Sequence, residues 1–269
     1  MTWYVTCATL PGMAKHKLDL RENAVDSFNE ALNKYREGLA GNSAAFKFAI
    51  LHLAHSLELL FKYYVSKSHP LLIYKNPFSK NLSKEQTIGL WDAVQFLANE
   101  GHPLDKAFYA DLDWLKKLRN DIEHYAFDMD VPTVRKTMGR LVQAIDEFHD
   151  EFGDEDIEEF VSKANLKLFY ELADENERDL GNARTDAKEL TEDDKAHECK
   201  FCGQDDTAAL IGRSFVCQYC KEEDAMLSCC ICGGSARRSD AVLWNDEHDG
   251  PADYACVDCD DRIRAMARD

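Results

Sequence analysis

The chain has 269 residues, 45% of them apolar and 30% charged, with a formal net charge of -18. The length suits one helical domain of ordinary size plus a small tail. The acid lies late: residues 198–269 hold 15 acids against 8 bases, residues 151–197 hold 16 against 6, and the first 150 are nearly neutral, so the C-terminal part is expected to be a poor partner for phosphate backbones, which need Lys and Arg to release counterions.

Met1 to Lys15 shows no basic n-region followed by an apolar core and a small-residue cleavage site, so a cytoplasmic, reducing location is expected. The spacing then predicts helices in chain order. His16–Leu39 places Leu18, Leu20, Val25, Phe28, Leu32, Tyr35 and Leu39 mostly at three- and four-residue steps. Asn42–Ser66 follows, capped by Asn42 or Ser43 and dense in Ala, Leu and Phe. Its most apolar run, Ala44–Val65, is interrupted by Lys47, His52, His55, Glu58 and Lys62, which argues against a membrane span. After a Pro-containing loop, Ser68–Lys84, further helices are expected over Thr87–Asn99, Asp105–Phe127 and Val131–Phe152, with a weaker sixth over Ile157–Ala173. Helices with short connections give an all-α bundle. The polar, acidic stretch Asp174–Lys195 reads as a linker.

The fourth helix contains Leu118-Arg119-Asn120-Asp121-Ile122-Glu123-His124-Tyr125. With Leu115, Leu118, Ile122 and Tyr125 as the buried stripe, a turn of about 100° per residue sets Asn120 and His124 together near the opposite side, with Arg119 flanking the stripe. Arg followed five residues later by His is by itself close to a chance occurrence, and an exposed His on a polar helix face is commonly just solvated. The context adds weight: Asn follows Arg, the helix is amphipathic and late in a bundle, and an earlier helix reads His55-Ser56-Leu57-Glu58-Leu59-Leu60-Phe61-Lys62.

With those residues in view, the stretch from about 15 to 152 resembles the HEPN domain family, helical bundles of many prokaryotic toxins and defence ribonucleases. The family's signature of Arg, a polar residue, three further residues and His falls on Arg119, Asn120 and His124. The resemblance implies a homodimer in which the motif helices meet, an RNA substrate, and metal-independent cleavage leaving a 2′,3′-cyclic phosphate. The side chains suit that chemistry: an imidazole moves protons near neutral pH, a guanidinium holds phosphate, and Asn120 could orient the phosphate or the imidazole. Some toxins of the family carry a modifiable Tyr two residues after the His; here Ala126 stands there and Tyr125 comes one residue early.

Eight of the ten cysteines form four Cys-x-x-Cys pairs: Cys199/Cys202, Cys217/Cys220, Cys229/Cys232 and Cys256/Cys259. A two-residue gap lets two thiolates grip one ion, and taken in order the pairs predict two closed, structural zinc sites, with no metal assigned to catalysis. The rivals are a disulfide framework and a cross-braced domain of ubiquitin-ligase type; the Cys-x-x-Cys-Gly form at Gly203 and Gly233 favours sequential ribbons. Cys230, His197 and His248 are expected as bystanders or alternates, and isolated Cys7 says nothing. The expected organisation is a HEPN-like bundle over 1–153, an acidic helix and linker over 154–197, and two four-cysteine zinc ribbons over 198–269. The leading function is a metal-independent endoribonuclease of toxin or anti-phage type. The alternative is a non-catalytic dimeric module whose zinc tail recruits a protein partner. No membrane partner is expected under either.

Overall fold

The computed structural model describes residues 19–124, 131–152, 157–191, 195–245 and 253–266. Among them, seven helices precede a small strand region that carries the cysteine clusters. α1 (Leu20–Leu39) begins at Asp19, whose carboxylate accepts from the Glu22 N–H at 2.8 Å while Glu22 accepts from the Asp19 N–H at 3.0 Å. This reciprocal cap satisfies two donors that the first turn leaves without partners. The buried stripe Ala24, Phe28, Ala31, Leu32 and Tyr35 follows at helical spacing and packs along α2 (Ala44–Ser68).

α2 is long and apolar enough to cross a membrane by length and composition. Here it is the central helix of the bundle, touching α1, α3 (Leu90–Asn99), α4 (Lys106–His124) and α5 (Val131–Phe152). Ile50, Leu53, Leu57, Phe61 and Val65 are fully buried along it. The Phe61 ring lies 4.5 Å from that of Phe148 on α5 and 6.1 Å from that of Phe108 on α4. Each such side chain removed from water contributes about 1.5–3 kcal/mol.

The helices fall close to their expected places, with instructive shifts. α2 starts at Ala44 with Ser43 in the capping position, yet no side-chain cap bond forms there. α3 starts at Leu90 rather than Thr87, because Asp92 accepts from the Gly89 N–H at 2.9 Å and Thr87 is bridged to Tyr74 instead. The ends of the first and fourth helices expected at His16 and Phe127, along with Tyr125 and Ala126, lie outside the described residues.

The expected sixth helix and linker are corrected more substantially. α6 (Ile157–Phe160) is one turn, and α7 (Leu166–Leu190) is a continuous 25-residue helix running through most of the supposed linker. The break between them is held by α1: Asn29 accepts from the Ser162 N–H at 2.7 Å and donates to the Phe160 carbonyl at 3.1 Å, and Arg36 donates to the Ala164 carbonyl at 3.0 Å. α7 persists because its few apolar residues share one face. Phe169 and Leu172 join the bundle core, whereas Leu180, Ala183 and Ala187 are buried against the strand region. Acidic residues occupy the remaining faces, so a reading by composition sees only solvent.

The strands are β1 (Ala208–Ile211), β2 (Ser214–Cys217), β3 (Glu223–Ser228), β4 (Ser235–Arg237), β5 (Ala241–Asn245) and β6 (Asp253–Cys256), followed by α8 (Val257–Met266). β1 to β4 form one antiparallel sheet in sequence order, and β5 pairs with β6. β3 pairs with β2 at one end and β4 at the other, so the two cysteine modules share a strand.

Candidate metal centres and polar cleft

The first module builds a tetrad from Cys199, Cys202, Cys217 and Cys220, and the second from Cys229, Cys232, Cys256 and Cys259, the four sulfurs of each within 4.8 Å of one another. Tight turns aim them. The Gly203 N–H returns to the Cys199 carbonyl at 2.9 Å, the Lys221 N–H to Cys217 at 3.0 Å and the Gly233 N–H to Cys229 at 2.9 Å. Sulfurs bound tetrahedrally to zinc at about 2.3 Å stand about 3.8 Å apart. The separations of Cys199–Cys220, Cys202–Cys217 and Cys232–Cys256 are 3.6, 3.8 and 4.0 Å, close to that figure and far beyond a disulfide bond of about 2.05 Å.

Backbone donors support charge on the sulfurs. The Tyr219 and Cys220 N–H groups point at Cys217 Sγ at 3.3 Å, and the Cys256 N–H at Cys229 Sγ at 3.3 Å. The Cys202 hydrogen bond lowers the pKa of the Cys199 thiol, while the same contact and that from Cys217 raise that of Cys202. Both tetrads are thus positioned to bind a metal ion, consistent with structural zinc.

The pairing is sequential, first with second and third with fourth, which overturns the cross-braced arrangement. Cys230 is exposed and outside its tetrad, its N–H bonded to the Tyr254 carbonyl at 2.9 Å. His197 is also outside; its backbone pairs with Ala208 and its ring lies edge-on to Phe215 at 4.8 Å. His248 and Cys7 lie outside the described residues.

The first module is docked rather than tethered. The Tyr219 hydroxyl donates to Asn176 Oδ1 on α7 at 2.5 Å, and burial pushes its pKa up. The Lys136 ammonium from α5 lies 4.1 Å from the Tyr219 ring centre and bonds the Tyr219 carbonyl. Lys106, the first residue of α4, pairs with Glu198 at 3.0 Å. Between module and bundle lies a cavity of about 640 Å³, with the buried ion pair Asp111–Arg140 in its wall.

The second candidate site lies at α4. Arg119 and Asn120 both line a cleft of about 400 Å³ whose other walls include Glu58 of α2 and Leu90 and Trp91 of α3. Arg119 Nη1 is 3.2 Å from Glu58 Oε2, and its Nε is 2.9 Å from Glu123 Oε1. Glu58 also meets the Lys62 ammonium at 2.7 Å, which in turn bonds Thr87 Oγ1 at 3.0 Å. Burial alone would raise the Glu58 pKa, but the hydrogen bond and charge of Lys62, with Arg119, outweigh it and hold the carboxyl below its ordinary range.

Asn120 and His124 are both exposed, whereas Leu115 and Leu118 are buried and Ile122 half-buried. His124 is not among the residues lining the cleft. A second imidazole, His55, feels Glu58 and Arg119; desolvation is the largest effect and leaves its pKa below the ordinary imidazole value, Glu58 opposing and Arg119 adding. Sequence reasoning did not assign Glu123 or Trp91 to this site. The four-residue spacing of Arg119 and Glu123 was the available signal for the first; nothing local announces the second. No protein-family model, curated protein or solved structure matches this chain.

Proposed function

We propose that the protein is a metal-independent endoribonuclease of HEPN type, acting as a dimer in a toxin or anti-phage role, with two structural zinc ions in its tail. The observation that carries the reading is the cleft that brings Arg119 and Asn120 of α4 together with Glu58 of α2. In the reaction, the RNA 2′-oxygen attacks the adjacent phosphorus and the bond from phosphorus to the 5′-oxygen breaks, giving a 2′,3′-cyclic phosphate and a free 5′-hydroxyl. His124 moves the proton, taking it from the 2′-hydroxyl or giving it to the leaving oxygen. Arg119 exchanges a carboxylate for the phosphate and offsets the charge that builds on it. Asn120, one turn before His124, orients the phosphate or the ring. A second copy of α4 across a twofold axis completes the site. The zinc ions, held by Cys199, Cys202, Cys217 and Cys220 and by Cys229, Cys232, Cys256 and Cys259, cross-link the tail and take no part in this chemistry.

The test is incubation of the pure protein with total RNA, with and without brief EDTA treatment, beside His124→Ala. Cleavage is expected to survive EDTA and to fall about a hundredfold or more in the variant, whose fold is unchanged because the side chain is exposed. Cleavage that persists in His124→Ala, or that needs magnesium, would falsify the mechanism. One observation favours a second reading, the non-catalytic dimeric interaction module. Arg119 already spends Nε on Glu123 and Nη1 on Glu58, contacts that tie α4 to α2 without any substrate. Under that reading no RNA is cleaved, and Arg119→Ala weakens the α2–α4 contact instead.

A further inference from the structure

In a chain of net charge -18, residues 59–84 hold five lysines and no acid. This segment leaves the end of α2, passes through two short 3-10 turns (Pro70–Ile73 and Leu82–Lys84), and returns to α3. Lys75, Lys80 and Lys84 are exposed and form no ion pair among the described residues. At the tip Phe78 is 93% exposed, more than any other large apolar side chain described. A single exposed apolar residue is ordinary; a bare aromatic ring standing among three unpaired lysines is not.

The tip is held in one shape. The Ser79 N–H closes onto the Asn76 carbonyl at 3.2 Å, the Asn81 N–H bonds Ser79 Oγ at 3.2 Å, and Ser83 Oγ donates to Asn81 Oδ1 at 2.7 Å. The neck is pinned as well, by Lys75 N–H to the Gln86 carbonyl at 2.9 Å and Ile88 N–H to the Ile73 carbonyl at 2.8 Å. Where the neck ends, the α4 cleft begins. Thr87 bonds Lys62, which pairs with Glu58, which pairs with Arg119, and Gly89 to Trp91 form the cleft wall.

We propose that this loop is a landing surface for single-stranded RNA, with Phe78 stacking on a base and Lys75, Lys80 and Lys84 tracking the phosphates toward the α4 cleft. The pairing of a stacking ring with a positively charged track is how unpaired strands are held without sequence preference. An anionic lipid surface would also attract lysines and a phenyl ring. RNA is favoured because the loop is bonded to the wall of a recessed cleft lined by Arg119 and Asn120, which a single strand can enter and a lipid surface cannot. The loop's delivery role rests on the ribonuclease reading, so its test measures binding apart from cleavage.

The probe is a fluorescein-labelled single-stranded RNA of mixed sequence, titrated by anisotropy against full-length, zinc-loaded protein in a His124→Ala background. Each phosphate contact on a single strand contributes about 0.7 to the slope of log affinity against log salt. Changing Lys75, Lys80 and Lys84 together to Ala should lower that slope by about 2 and weaken binding about a hundredfold at about 0.1 M salt. Phe78→Ala should weaken binding about tenfold with the slope unchanged, and Phe78→Tyr should restore it. Unchanged circular dichroism is expected throughout, since all four side chains are exposed. Binding by the triple-lysine variant within about twofold of its parent overturns the proposal. So does an absence of RNA binding, including the case where the protein instead binds phosphatidylcholine vesicles containing phosphatidylserine. Cleavage of the same RNA by the native chain is scored separately. If cleavage occurs without any need for the loop, the loop proposal falls and the ribonuclease stands. If loop-dependent binding occurs without cleavage, the RNA surface stands and the ribonuclease falls.

Discussion

Two glycines that are equivalent in sequence are not equivalent in the structure, and replacing each by alanine separates docking from tethering. Gly203 and Gly233 both follow the second cysteine of a Cys-x-x-Cys turn, with φ of +69° and +72°. Alanine at either pays the left-handed strain of about 1–2 kcal/mol. A Cβ at Gly233 would meet nothing within 4 Å. At Gly203 it would stand 2.5 Å from the Lys106 carbonyl oxygen and 2.8 Å from the Ala107 nitrogen. Those are backbone atoms at the start of α4 and cannot swing aside as a side chain can. Overpacking of this kind costs about 1–3 kcal/mol more, so Gly203→Ala should cost about 2–5 kcal/mol in all. The surplus falls on the contact between the first cysteine module and the bundle. Urea denaturation of the zinc-loaded protein, followed by far-ultraviolet circular dichroism, reads the helices directly. Gly203→Ala should move the helical midpoint to lower urea, and Gly233→Ala should leave it in place while weakening zinc retention in the second module. Equal helical midpoints for the two variants would refute the docked arrangement and restore a tethered tail.

The purified protein should carry two zinc ions per chain by elemental analysis; one or none would remove the two-site reading. Stripping them should also cost hydrogen-exchange protection in α7 from about Leu180 onward, because Leu180, Ala183 and Ala187 are buried against the metal module; full protection there after chelation would contradict that packing. Glu58 gives a pH signature. Its folded pKa is depressed, so the stabilisation it draws from Lys62 and Arg119 is fully present above the ordinary carboxylate range and lost as pH falls through the depressed folded value. Glu58→Gln should therefore lower thermal stability at neutral pH and flatten its decline in acid, and an acid limb parallel to that of the native chain would show that the pair contributes nothing.

What was legible in the sequence divides by the range of the interactions involved. The cysteine tetrads were legible because spacing and ligand identity are local: two residues between thiols decide the turn, and chain order decides the partners. The helices of the bundle were legible through three- and four-residue apolar periodicity, as in the Phe28, Leu32 and Tyr35 stripe of α1. The linker reading of Asp174–Lys195 failed because the stripe that holds α7 is small. Ala183 and Ala187 carry little hydrophobic signal, yet they are what a closely docked module needs, and only the module itself makes them a core. At the α4 cleft, periodicity set Arg119 beside the buried stripe and Asn120 on the exposed side, as their burial has it, but it grouped Asn120 with His124, which does not line the cleft, and the carboxylate that holds Arg119 comes from Glu58, 61 residues earlier. No local pattern encodes that distance. It follows from α2 being the central helix, against which α4 must lay its buried stripe of Leu112, Leu115 and Leu118. Once that stripe is placed, Arg119 at its margin faces α2, and a carboxylate there is the cheapest partner for a half-buried guanidinium. Under the proposed ribonuclease reading, a phosphate reaching Arg119 meets a guanidinium whose Nε and Nη1 are already held by Glu123 and Glu58, so its affinity there depends partly on how readily Glu58 gives way to it and stays with Lys62 instead.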